Sequence, residues 1–209
     1  MMAKKQIHSG IYLVIDPAME REILLGQLQK ALAGTIAAVQ LWDNFLPGDD
    51  IAALSKEIIS LCRPYNVPVL INNRWQLVEE AGLDGVHFDA IPDDFYGSYN
   101  TGSIITGLTC GNDLATVEKA VALGMDYISF CSMFPSVTAN SCELVSPETV
   151  IKARGLTDMP IFLAGGITTD NMESLSSLPY NGIAVVSGIM RAGSPTDVIK
   201  IYQSKLNLK

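Results

Sequence analysis

Short apolar runs alternate with longer amphipathic stretches along almost the whole chain, and this alternation restricts the fold more than any other feature. The apolar runs are rich in Val and Ile and mostly continuous, which is typical of strands buried on both faces of a parallel sheet. Eight of them occur, at residues 11–15, 37–41, 68–72, 85–88, 104–109, 127–131, 161–164 and 183–187.

Helical patterns separate these runs, at residues 21–33, 51–63, 74–81, 114–123, 147–153 and 195–206. Gly34, Gly82 and Gly124 follow three of them and predict helix ends. Strand–helix alternation with eight strands predicts an α/β fold, a single (β/α)8 TIM barrel that spans residues 1–209 as one domain. A doubly wound open sheet is the alternative fold. It usually has a glycine-rich first turn, whereas the turn here reads Ile15-Asp16-Pro17-Ala18.

The charge balance and the cysteines restrict partners and location. The formal net charge is −8 and no stretch concentrates Lys or Arg, so we expect no nucleic-acid partner and no membrane partner. A local pocket can still hold an anionic small molecule. The four cysteines have no CxxC spacing, which predicts reduced thiols in a soluble, cytoplasmic protein. Neither an apolar leader nor a run near the roughly 20 residues of a membrane span is present. Whether the chain forms a homo-oligomer is left open.

The ends of the last two strands predict a phosphate site. In this fold the functional loops follow the carboxyl ends of the strands, and a phosphate often binds after strands seven and eight. Gly165-Gly166 follows the seventh run, and Val186-Ser187 closes the eighth. Glycines let backbone N–H groups approach an anion, and the start of a short helix after strand eight would add its dipole. A tight turn and a helix cap are the alternative interpretation.

Polar residues after other strands extend this prediction. Ser136 and Thr138 lie two apart in the long loop after the sixth run, so both hydroxyls can point at one anion. An ordinary hydroxyl-rich loop is equally consistent with them. Gln40 and Asn72 stand at strand tips, where amides can pair with the edge of a heterocycle. His87 is a candidate base, although a hydrogen-bonded core histidine is the preferred interpretation.

Read together, these segments resemble the thiamine-phosphate synthase family, which includes the related thiazole tautomerases. The matching stretches are 39–41, 67–74, 82–87, 107–109, 123–135, 160–167 and 182–187. The resemblance implies the same (β/α)8 fold. It also implies an activity that joins a pyrimidine pyrophosphate to a thiazole phosphate and releases pyrophosphate with the help of Mg²⁺.

The resemblance carries binding roles to particular positions of this chain. On the thiazole-phosphate side these are Ser136, Thr138, Gly166, Val186 and Ser187. On the pyrimidine side Gln40 and Asn72 match the family, Thr109 replaces its usual Ser, and Trp42 replaces an Arg.

The departures from the family pattern all involve charge. Trp42, Asn44 and Ala139 occupy positions where the family has cations. Asn73 replaces one metal-binding Asp, and the second aligns near Pro92, one residue from Asp93. Because departing pyrophosphate builds up negative charge that cations and Mg²⁺ must offset, the sequence predicts weak or absent synthase turnover.

Three functions therefore stay open at the level of sequence. The first is a thiamine-phosphate synthase with an altered pyrophosphate and metal site. The second is a tautomerase or other isomerase of a phosphorylated heterocycle, with His87 or a carboxylate at the barrel rim as base. The tautomerase histidine itself is replaced by Ser132. The third is a non-catalytic barrel that binds a phosphorylated small molecule.

Overall fold

A computed structural model of the chain shows eight parallel strands closed into one barrel. It describes residues 4–95, 101–136 and 143–206. Each strand pairs with the next along the chain, and the last pairs with the first. The strands are β1 (Gly10–Ile15), β2 (Ile36–Leu41), β3 (Val69–Asn72), β4 (Gly85–Phe88), β5 (Ile105–Cys110), β6 (Tyr127–Phe130), β7 (Ile161–Ala164) and β8 (Gly182–Val185). The predicted TIM barrel is confirmed, and the open-sheet alternative is wrong.

Helices follow most of the strands. They are α1 (Arg21–Ala31), α2 (Ile51–Cys62), α3 (Leu77–Ala81), α4 (Leu114–Ala122), α5 (Pro147–Arg154), α6 (Ser187–Met190) and α7 (Pro195–Lys205). Short 3-10 helices occupy Arg63–Tyr65, Thr101–Ser103 and Met172–Leu175. All six helical patterns of the sequence correspond to helices; five of them are shorter than predicted, and α5 extends one residue further. The largest difference is in α3, because the residues before Leu77 form turns.

Side-chain caps fix where several helices begin. The carboxylate of Glu20 accepts hydrogen bonds from the amides of Glu22 and Ile23, and Asp50 caps α2 in the same way. Such caps satisfy backbone donors that have no partner within the helix. At the other end, Gly82 closes α3 in the left-handed conformation with φ of 71°. The predicted helix stop at this glycine is confirmed.

Apolar side chains pack on both sides of the strands, outside the barrel against the helices and inside the barrel. Outward-facing strand residues such as Ile11, Leu13 and Ile15 pack with the helices in the larger core. Inward-facing residues fill the barrel floor in a smaller cluster that includes Tyr12, Tyr127 and Phe162. This division follows from the period of two in a strand.

Two glycines make the aromatic barrel floor possible. A Cβ at Gly107 would overlap the ring of Tyr127, and a Cβ at Gly182 would overlap the ring of Phe162. Each glycine lies on a strand next to the strand that carries the ring.

No helix within the described ranges has the length and apolar character needed to span a membrane.

Candidate functional site

A cavity of about 410 Å³ opens above the aromatic floor, at the carboxyl ends of the strands. Its walls come from alternate strand positions, such as Tyr127, Ser129 and Cys131 along β6 and the residue that follows it. Alternate residues of a strand share one face, so the barrel brings one polar or small side chain from nearly every strand into a single space.

All four residues predicted for the pyrimidine side line this cavity, namely Gln40, Trp42, Asn72 and Thr109. The candidate base His87 and Val186 from the phosphate side also line it. Trp42 shares the cavity with Gln40, as its position two residues further along predicted. The structure brings these side chains together in one space.

The remaining phosphate-side residues lie around the mouth of the barrel. Ser187 is the first residue of α6 and is exposed. Gly166 follows Gly165, which lines the cavity, and Ser136 is half-buried in the loop after β6. Thr138 lies outside the described residues. Within the part of the chain that the structure describes, the amide groups of Gly166 and Ser187 donate to no acceptor.

Gly166 is required by the path of the neighbouring loop. Its φ is 64°, in the left-handed region. A Cβ here would lie 2.6 Å from the carbonyl oxygen of Pro135 and 2.8 Å from that of Phe134. The loop that carries Ser136 therefore packs directly on the backbone of the glycine turn after β7.

Polar side chains form a hydrogen-bond chain under the cavity. The Tyr12 hydroxyl donates to Oε1 of Gln40 and bonds the Tyr127 hydroxyl, each over 2.8 Å. His87 bonds Tyr127 through Nδ1 and Thr109 through Nε2, again over 2.8 Å. Burial lowers the pKa of His87 to about 4, although the nearby Asp89 carboxylate opposes this shift. His87 is therefore a neutral, hydrogen-bonded histidine that also reaches the cavity.

Arg74, Asp43 and Asp89 at the barrel rim are all paired with other rim residues. Arg74 forms a salt bridge with Asp43 over 2.6 Å, and its guanidinium lies 5.3 Å from the centre of the Phe45 ring. Asp89 accepts from the side-chain amide of Asn73 and donates its own backbone N–H to that side chain, both over 2.9 Å. Among the described residues that line the cavity, Asp89 is the only one that carries a charge, since His87 is neutral.

The residues considered for a metal do not line the cavity. The side chain of Asn73 is engaged with Asp89, and Asp93 is exposed at the end of the loop after β4. Among residues 4–95, 101–136 and 143–206, no three His, Cys, Asp or Glu side chains are grouped so that they could hold a metal ion.

Sequence reasoning missed several lining residues. Tyr12, Tyr127 and Phe162 read as core residues within apolar strands, and Cys131 and Ser129 had no motif. The period of two is the signal that could have found them, because Ser129 and Cys131 continue the inward face of Tyr127.

Comparison with known proteins identifies the fold and the family. A family model for thiamine monophosphate synthase matches residues 11–189. The chain belongs to the thiamine-phosphate synthase family. It is 31% identical over 199 residues to the family member of Marinobacter nauticus, covering 93% of this chain and 88% of that protein. The Staphylococcus carnosus member is 34% identical over 182 residues, with 82% and 84% covered. Both relatives are named thiamine-phosphate synthase.

Solved structures agree with the barrel. Thiamine phosphate pyrophosphorylase from Pyrococcus furiosus superposes with a TM-score of 0.78 at 22% identity, covering 94% of this chain and 96% of that chain. A 3-hexulose-6-phosphate synthase gives a TM-score of 0.72 at 13% identity, covering 94% and 99%. At these identities the likeness concerns the fold, which this family member shares with other barrels.

Proposed function

We propose that this protein binds a phosphorylated heterocycle in its barrel as a thiamine-phosphate synthase does, and that it catalyses the displacement of pyrophosphate slowly or not at all. The observation that carries the proposal is the charge of the cavity. Its described lining residues include no Lys or Arg, and the one charged group, Asp89, is negative.

The charge of the cavity opposes the synthase reaction. When pyrophosphate leaves, negative charge develops on its oxygens, and an enzyme accelerates this step by placing cations or donors there. Removing one such contact commonly costs about 10² to 10³ in rate. Trp42 faces the cavity at a position where the resemblance places an arginine, and Arg74 is held by Asp43. Both features leave the developing charge without compensation.

Mg²⁺, which the family resemblance implies, does not fit the residues present. Asn73 offers a neutral amide that is already paired with Asp89, and in the described structure the exposed Asp93 belongs to no group of three His, Cys, Asp or Glu side chains that could hold a metal ion. Mg²⁺ prefers carboxylate oxygens and substrate phosphates in near-octahedral geometry. We therefore assign no step to a metal held by this protein.

The phosphate end of the site supports binding of a ligand. Gly166 and Ser187 present amide groups that have no acceptor among the described residues. Both follow neighbouring strands, since β7 pairs with β8. Backbone N–H groups in this arrangement suit a phosphate dianion.

Trp42 provides a flat apolar surface inside the cavity. An indole stacks on an aromatic ring and loses little conformational entropy in doing so. We propose that Trp42 stacks on a heterocycle where the family's arginine would approach pyrophosphate.

The tautomerase alternative has less support. Ser132 stands where the resemblance places the tautomerase histidine, and it is buried and donates to the carbonyl of Phe134.

We also propose a cytoplasmic location, because Cys62 and Cys110 are free thiols.

A steady-state assay with the pyrimidine pyrophosphate, the thiazole phosphate and Mg²⁺ tests the proposal. We expect turnover far below the 1 to 10³ s⁻¹ that is typical of enzymes. Restoring charge with Trp42→Arg, Asn44→Lys, Ala139→Lys and Asn73→Asp together should raise the rate by about 10² or more. Each single change should do little, because the four groups serve one charge. Ala139 lies outside the described residues, so its contribution is also tested by omitting it from the set.

The outcomes separate binding from catalysis. Thiazole-phosphate binding without turnover, measured by calorimetry, is the expected result for the unmodified protein. Formation of thiamine phosphate at about 1 s⁻¹ or faster by the unmodified protein contradicts the proposal.

A further inference from the structure

The hydrogen-bond chain under the cavity links five strands through the barrel interior. It runs from Gln40 on β2 through Tyr12 on β1, Tyr127 on β6 and His87 on β4 to Thr109 on β5, and its four bonds each measure 2.8 Å. The side chains are buried, with exposures of 1% for Tyr127, 2% for Tyr12 and 5% for Gln40 and His87. Because these four side chains are shielded from solvent, they must satisfy one another, and the half-buried Thr109 completes the hydrogen-bond chain.

Counting protons gives the chain a direction. Gln40 accepts from Tyr12 through its amide oxygen, so the single hydroxyl proton of Tyr12 is used there. Burial raises the pKa of both tyrosines, so each keeps one proton. Tyr127 must therefore donate to the oxygen of Tyr12, and its own oxygen must accept from Nδ1 of His87.

The same count reaches the far end of the chain. With the proton on Nδ1, the Nε2 atom of neutral His87 has only a lone pair. The Thr109 hydroxyl must then donate to Nε2. Tyr12 and His87 share no hydrogen bond, and their ring centres are 6.4 Å apart. Even so, the proton of Tyr12 determines which nitrogen of His87 carries a hydrogen.

We propose that Tyr12 and Tyr127 are positioning residues that lock the side-chain amide of Gln40 and the Nδ1–H tautomer of His87 to each other. Reversing the amide of Gln40 would place a donor against Tyr12. Tyr12 would then donate to Tyr127, Tyr127 would donate to Nδ1, and His87 would carry its proton on Nε2. The two states exchange only when every bond of the chain reverses together.

The direction of the chain determines what the cavity offers to a ligand. The amide oxygen of Gln40 accepts from Tyr12, so its NH₂ group is available to the cavity that it lines. The hydroxyl proton of Thr109 is donated to His87, so Thr109 can only accept a hydrogen bond from a ligand. The site would therefore select a heterocycle with an acceptor, such as a ring nitrogen, opposite Gln40. This consequence rests on the proposed ligand site, whereas the locking of the tautomer does not.

Nitrogen-15 NMR of the ligand-free protein tests the proposal. The sequence contains two histidines, and His8→Gln removes the exposed one, leaving His87 as the only imidazole. Protonated and unprotonated ring nitrogens resonate in well-separated regions. We expect Nδ1 of His87 in the protonated region and Nε2 in the unprotonated region, the reverse of the tautomer that free imidazole side chains favour.

Tyr12→Phe, in the His8→Gln background, should exchange the two signals. Without the Tyr12 oxygen as acceptor, Tyr127 turns its proton to Nδ1, and His87 carries its proton on Nε2. Gln40→Met removes the acceptor at the end of the chain and should have the same effect, which keeps the test available if Tyr12→Phe does not fold. Phe162→Leu is the control. Its ring packs edge-on against Tyr12 and Tyr127, with centres 5.5 and 5.7 Å away, and the tautomer should not change.

Any of three results overturns the proposal. The first is Nε2–H, or a mixture of tautomers, in the protein that retains both tyrosines. The second is an unchanged Nδ1–H signal in the folded Tyr12→Phe or Gln40→Met variant. The third is an exchange of signals in Phe162→Leu. Since no substrate is present, the result does not depend on whether the protein turns over.

Discussion

Nε of Arg74 donates to Oδ1 of Asp43 over 2.6 Å, which joins the residues that follow β3 to those that follow β2. The same guanidinium lies over the ring of Phe45. Arg74 is therefore directed along the barrel rim and does not line the cavity. This arrangement, together with Trp42 in the cavity, explains why a barrel of the synthase family has a ligand site without positive lining residues.

Releasing Arg74 should strengthen anion binding. We expect Asp43→Asn to lower the Kd for inorganic pyrophosphate about five-fold at low ionic strength, equivalent to about 1 kcal/mol, because the freed cation can turn toward the cavity. Isothermal titration at two salt concentrations measures this, and added salt should reduce the gain. Glu57→Gln is the matched control. It frees Arg21 from a similarly exposed ion pair with the same change in net charge, and an equal gain there would attribute the effect to net charge alone.

A carboxylate at position 187 should eliminate phosphate binding. We expect a thiazole phosphate at 100 times its Kd to stabilise the unmodified protein by about 2.7 kcal/mol. That corresponds to a rise in Tm of roughly 5–10 °C for a chain of this size. Ser187→Asp should lose this rise, because its charge repels the anion from the Gly166 and Ser187 amides. Ser204→Asp, on the exposed surface of α7, introduces the same charge and should retain it. A full rise in Tm for Ser187→Asp would refute the assigned phosphate site.

Substitutions at Gly166 and Gly124 can distinguish the cost of a left-handed backbone from the cost of a close packing contact. Gly166 and Gly124 have φ of 64° and 66°, but a Cβ at Gly124 would meet nothing within 4 Å. Gly124→Ala should cost about 1–2 kcal/mol of unfolding free energy from left-handed strain. Gly166→Ala should cost about 1–3 kcal/mol more, since it must displace Phe134 and Pro135. Urea unfolding measures both, and equal losses would show that the contact of the loop with the glycine turn contributes nothing.

The lowered pKa of His87 predicts a dependence of stability on pH. The pKa is about 4 in the folded protein and 6.5 without the fold, mainly because burial disfavours the charged form. Between these values the unfolded chain binds the extra proton, so stability is lost as pH falls from about 6.5 to about 4. Between pH 7 and pH 5 the unmodified protein should lose about 2 kcal/mol more than His87→Gln. The exposed His8 supplies the control. His8→Gln should lose as much as the unmodified protein, and a pH profile unchanged by His87→Gln would contradict the shift.

The fold and the position of the site were accessible from sequence because they depend on local pattern. Continuous Val- and Ile-rich runs are typical of strands that are covered on both faces. Eight such runs in alternation with helices predict a closed barrel. Gln40 and Trp42 could be placed in one cavity since residues two apart on a strand share a face. Their prediction required no knowledge of what lies opposite them.

The contacts inside the cavity were not accessible in this way. Tyr12 and Tyr127 are separated by 115 positions in the chain, and each looks like an ordinary apolar strand residue. The pairing of Asn73 with Asp89 crosses from β3 to β4. Such partners are selected by the shear and closure of the whole barrel, which pattern along one strand does not encode.

The sequence alone determined that this protein is an eight-stranded barrel and that Trp42, Asn44 and Ala139 carry no positive charge, since periodicity and side-chain identity are properties of the chain itself. Only the tertiary structure decided that Arg74 is paired with Asp43 and does not line the cavity. It also decided that Gln40 and His87 are joined through two buried tyrosines. A hydrogen bond of 2.8 Å requires three-dimensional placement to within a few tenths of an ångström, and that placement is set by the packing of all eight strands together.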